Sequence, residues 1–174
     1  MSVFTFGLSW AIDFDVSAEK AAQLVDEGRR RGAKELEAAY RLPDFKIGAE
    51  ESFVVLRTKS YDIMHAAASS IGLTPTERSA IQSRGTFDVE LTVKRMPPYR
   101  PPSDYKIQVY QAGMILLPAW REEHEEGEKV VIRAGFRELV LKPDVEGTLH
   151  FFTGTARAHD PTMVLFGIDF NTLR

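Results

Sequence analysis

The chain has 174 residues, a formal net charge of -3, 44% hydrophobic and 27% charged residues, and no cysteine. That length suits one domain with its own core, and the lack of cysteine excludes disulfides, thiolate zinc sites, iron–sulfur clusters and a cysteine nucleophile. The mild acidity gives no general pull toward nucleic acid or an anionic membrane.

The opening, MSVFTFGLSW, lacks the basic start of a signal peptide. No run approaches the roughly 20 apolar residues of a membrane span, so the expected location is the cytoplasm. Within residues 4–16, Phe4, Phe6, Leu8, Trp10, Ile12, Phe14 and Val16 occupy every second position. This period predicts a long strand with one large apolar face, covered by much of the remaining chain.

Ser17 is placed to cap a helix that runs to a stop at Pro43. Ala21, Leu24, Val25, Gly28, Gly32, Leu36, Ala39 and Tyr40 share its inner face, where two glycines one turn apart allow a close approach to the opening strand. Residues 51–71 read mostly as a second helix, with SFVVLRT as an alternative strand. Thr74, Pro75 and Glu77 are a helix start with a capping box, and the helix ends near Gly85.

From Gly85 the pattern changes. Phe87, Val89, Leu91 and Val93 alternate with polar residues, which predicts a strand with one wet face. PPYRPP, residues 97–102, reads as a stiff extended loop. Residues 105–110, 114–117, 130–132, 136–141, 148–153 and 163–170 read as strands, and REEHEEGE, residues 121–128, as a solvated turn. The expectation is a single α+β unit: an antiparallel sheet or sandwich with two to three helices inserted after the first strand. Helices concentrate in residues 17–84 and strands in 85–174.

Several constellations carry possible chemistry. Gly7, Ser9 and Ala11 match a loose nucleophile elbow, but the alternation runs straight through Ser9, where that elbow needs a sharp turn. His150, His159 and Asp160, near Arg157, form the best candidate catalytic cluster, with Phe151, Phe152 and Trp120 as pocket walls. An aspartate can orient an imidazole for acid–base work. An ordinary turn at Asp160-Pro161 is the simpler account. Asp13 and Asp15 share a strand face and could bind metal, although Asp15 also suits the charge-matching of a helix start. His124 sits among Glu122, Glu123, Glu125, Glu126 and Glu128, a run better read as solvated than as a cation cage. Arg29, Arg30, Arg31 and Lys34 spread around a helix among acids, with no aromatic platform for nucleic acid.

No cofactor is expected: there is no phosphate-binding glycine loop, EF-hand or cysteine ligand set. Tyr99, Arg100 and Tyr105 are the candidate binding residues, because tyrosine and arginine dominate interface hot spots and the loop carrying them is stiff. The resulting expectation is a non-enzymatic interaction or assembly module whose partner is a protein, copies of itself included; the alternative is a small-molecule-binding or hydrolytic domain that uses His150, His159 and Asp160.

Overall fold

The computed structural model describes residues 15–69, 71–142, 145–154 and 163–168. Of the strand expected over residues 4–16, residues 4–14 lie outside them. Asp15 is exposed and not in a strand, and Val16 is buried beside Ala21 and Ile63.

Helix α1, Ala18–Arg31, starts where Ser17 Oγ accepts the Lys20 N–H at 3.2 Å. It does not continue to Pro43. Gly32 takes φ +82° and hands over to α2, Ala33–Tyr40. A positive φ is accessible to glycine and costly for residues with a Cβ, so the break sits where the sequence permits it.

Strand β1, Phe45–Ile47, turns at Gly48 into β2, Glu50–Arg57. The helical reading of residues 51–71 is therefore corrected. Its first third is a strand, and only α3, Lys59–Ala68, is helical, capped by Thr58 at the Tyr61 N–H. Val54 and Leu56 bury on one face of β2 and Val55 on the other. A strand covered on both sides shows no alternation, and periodicity alone cannot tell it from a helix. Helix α4, Pro75–Ser83, has the expected capping box between Thr74 and Glu77.

The remaining strands are β3 (Thr86–Lys94), β4 (Tyr105–Gln111), β5 (Met114–Leu116), β6 (Trp120–Glu126), β7 (Lys129–Arg137), β8 (Gly147–Thr153) and β9 (Val164–Ile168). Residues 120–126 are thus an edge strand rather than a turn. Their backbone pairs with β7, and the charged side chains keep the open edge wet. The two strands expected within 130–141 are one strand followed by a 3-10 turn, Glu138–Val140. Gly135 does not interrupt β7 because its register partner Trp120 covers it. A Cβ at 135 would meet the indole, with Cζ2 at 2.8 Å.

All pairings are antiparallel. One sheet has the order β1-β2-β3-β7-β6 and the other β5-β4-β8-β9. The β2–β3 pairing joins the helix-rich half to the strand-rich half. The two sheets face each other across one core. Phe87, Val89, Leu91, Val93, Ile132 and Phe136 come from the first sheet; Tyr105, Ile107, Val109, Leu149 and Phe151 come from the second. Phe45 lies 5.4 Å from Phe151 and 5.1 Å from Phe166 between ring centroids. The helices cover the other face of the five-stranded sheet, where Leu36, Tyr61 and Met64 bury against Val55. The fold is α+β, with layers in the order helices, five-stranded sheet, four-stranded sheet.

Candidate functional site

Residues 95–104 carry the chain from the first sheet to the second. Two buried charges of opposite sign anchor this loop. Arg95 follows β3 and is 8% exposed. Its backbone N–H reaches Glu128 O at 2.8 Å, and its guanidinium donates to Glu125 Oε2 (2.7 Å), Gly127 O (3.1 Å) and Arg100 O (3.2 Å). It also lies 5.5 Å from the Tyr99 ring centroid. The planar guanidinium serves several directions at once, which a lysine cannot do.

Glu50, the first residue of β2, holds the loop from the other side. It is 4% exposed. Its Oε1 accepts the Met96 N–H at 3.3 Å and its Oε2 accepts the Tyr105 O–H at 2.9 Å. Burial and this bond push the Tyr105 phenol above its ordinary range, so it stays a donor. The Pro97–Pro98 peptide bond is cis. Between the loop and the β1–β2 turn runs a groove of 480 Å³ whose lining includes Ala49, Glu50, Met96, Tyr99, Arg100 and Asp104.

The structure separates the three predicted binding residues. Tyr99 and the Arg100 side chain are each 51% exposed at the rim. Tyr105 is fully buried in the sandwich and is joined to the groove by its bond to Glu50. Sequence reasoning missed Glu50. No local signal marks it: the neighbouring Glu51 is equally acidic and is exposed.

Of the predicted catalytic cluster, His159 and Asp160 lie outside the described residues, as do Arg157, Ser9 and Asp13. His150 sits on the outer face of β8, stacked on Tyr110 with ring centroids 5.9 Å apart and 3.4 Å from the Gln108 amide. Burial lowers its pKa. The proposed walls do not meet. Phe151 is inside the core, Phe152 lies on the opposite face of the same strand, and Trp120 belongs to the other sheet. His124 Nε2 lies 3.2 Å from Glu126, and both are exposed. Among the described residues, no three His, Asp or Glu side chains are placed to hold a metal ion. Arg29 and Arg30 pair with Asp26 and Glu27, and Arg31 with Glu35 at 2.7 Å. Among the described residues, no helix is long and apolar enough to cross a membrane.

A second charged cluster lies under the helices. Asp62 binds Arg57 (2.6 Å) and Arg84, while Asp88 binds Arg84 (3.0 Å) and Arg133 (2.9 Å) and accepts the Thr86 hydroxyl. Arg57 also pairs with Glu90 at 2.6 Å. Burial pushes the Asp88 carboxyl upward against the pull of Arg84 and Arg133. Three cations meet three anions, and each carboxylate is bonded, so the cluster ties α3 and α4 to β2, β3 and β7. The comparisons found no family model, curated protein or solved structure that matches the chain.

Proposed function

We propose that the chain is a non-enzymatic interaction module that docks a protein partner on the loop of residues 95–104. The groove beside that loop is the observation that supports this reading most. Its rim carries Tyr99, a side chain of the type that concentrates binding energy, with Arg100 beside it. Arg95 and Glu50 fix the backbone in advance, which lowers the ordering cost of association. A cysteine-free chain suits a reducing compartment, and we assign the interaction to the cytoplasm.

A second copy of the chain is a further candidate partner, on a different surface. Edge strand β5 exposes Met114 and Ile115, with Leu117 just beyond and Tyr110 alongside. It carries no charged residue, so two copies could pair antiparallel without opposing like charges.

The test is recovery of partners from host lysate with the tagged full chain and with a Tyr99→Ala variant. A partner bound by the native chain, lost with the variant and cross-linked to residues 95–104 is expected. Identical profiles for both would end the reading. For the second surface, light scattering of the native chain against Ile115→Lys decides. A native dimer that becomes monomeric in the variant is expected, and a native monomer rejects self-pairing.

A further inference from the structure

We infer that the groove beside Glu50 receives a basic side chain, an arginine or a lysine, from an extended segment of the partner. The inference rests on the interaction-module reading and adds the chemistry of the group bound.

Glu50 differs from the buried carboxylates of the cluster under the helices. Asp62 and Asp88 are each bonded directly to guanidinium groups. The two hydrogen bonds to Glu50 come from neutral donors, the Tyr105 hydroxyl and the Met96 amide. They aim the carboxylate without supplying counter-charge. The nearest cation is Arg100, whose Nε lies 3.8 Å from Oε2, beyond hydrogen-bond reach. A half-exposed pair at that separation stabilises little. The ion pair Glu50 has within 4 Å is long and its cation half in solvent, so an incoming cation that approaches more closely gains by binding there.

The lining agrees in charge and shape. Asp104 adds a second carboxylate, and among the described residues it makes no ion pair. Glu50 and Asp104 against Arg100 leave the groove with a net charge of about -1. Met96, Ala49 and the prolines offer an apolar wall for an aliphatic stem, while the Tyr99 ring can face a cation. The 480 Å³ volume lies in the range of small-ligand sites, about 300–1,000 Å³. Arg100 then acts as a place-holder. It partly screens Glu50 in the free protein and swings to solvent when the partner's cation arrives. The opposite assignment, an acidic group captured by Arg100, would bring an anion beside two carboxylates.

The two assignments predict opposite signs for one variant. The full-length chain, labelled with nitrogen-15, is titrated with acetyl-Leu-Arg-Leu-amide, its citrulline counterpart and acetyl-Leu-Glu-Leu-amide. The arginine peptide should shift the Met96 and Tyr99 amides and bind about tenfold tighter than the citrulline peptide. Arg100→Ala should tighten it by about threefold, and Asp104→Asn should weaken it by a similar factor. Glu50→Gln should abolish it. Should that variant fail to fold, the two rim variants still decide. Preference for the glutamate peptide, weaker arginine binding in Arg100→Ala, or no shift with any peptide overturns the inference. If lysate recovery still depends on Tyr99, only the basic-side-chain assignment falls.

Discussion

Gly28 packs against Met64 so tightly that a Cβ on the glycine would overlap the Met64 carbonyl oxygen and stand 2.7 Å from its Cα. The close approach expected of the first helix therefore exists, but toward α3. Alanine at 28 gains about 1 kcal/mol of helix propensity. Pushing α1 off backbone atoms that cannot rotate away costs about 1–3 kcal/mol, or more where they cannot move. Gly28→Ala should lower the urea midpoint and speed amide exchange in α1 and α3. Gly85→Ala, which meets nothing within 4 Å, should leave both unchanged.

Asp62 is 5% exposed and holds Arg57 and Arg84. Asp62→Asn strips the charge and leaves two guanidinium groups short of a partner. The loss should be about 3 kcal/mol, the low end for breaking a buried pair, because Arg57 and Arg84 still reach some solvent. Chemical denaturation measures it. A double variant with Arg84→Met should lose less than the sum of the single losses, since the arginine no longer needs the carboxylate.

Arg95 joins Glu125, Gly127 and the Arg100 carbonyl through one planar group. Arg95→Lys keeps the charge and loses that geometry, so it should cost about 1–3 kcal/mol. The signature is local. Exchange of the Tyr99 and Arg100 amides should rise well above that of β8. Equal acceleration in β8 would show global destabilisation and contradict the anchoring role.

Burial lowers the pKa of His150, so folding disfavours its protonated form. The unfolded chain then binds the proton more readily, and the contribution of His150 to stability is lost as pH falls below the ordinary histidine value. Urea unfolding of the native chain between neutral and mildly acidic pH should show a steeper loss than His150→Gln. Nuclear magnetic resonance should place the imidazole midpoint below 6.5. A midpoint above 6.5 would reverse the sign.

Local signals in the sequence were legible wherever the chain itself satisfied them. Thr74, Pro75 and Glu77 specify a helix start within four residues, and Phe87 to Val93 alternate because one face meets the apolar core, although the other, expected to be wet, carries the charged cluster under the helices with Asp88 fully buried. Residues 50–57 misled because both faces of β2 are covered, which erases the period. β6 misled because pairing with β7 fixes its backbone, while its side chains, which dominate a sequence reading, stay in water. The exposure of Tyr99 and Arg100 was readable from the proline-rich loop that carries them. The burial of Glu50 was not, because it depends on bonds to Tyr105 and Met96, 55 and 46 residues away.

The Trp120–Gly135 contact constrains variation across the β6–β7 ladder. An indole at 120 and any side chain at 135 exclude each other, so the two positions can change only together. Relatives of this chain should keep the ring with the glycine, or lose both. That correlated pair would report the strand register from aligned sequences alone.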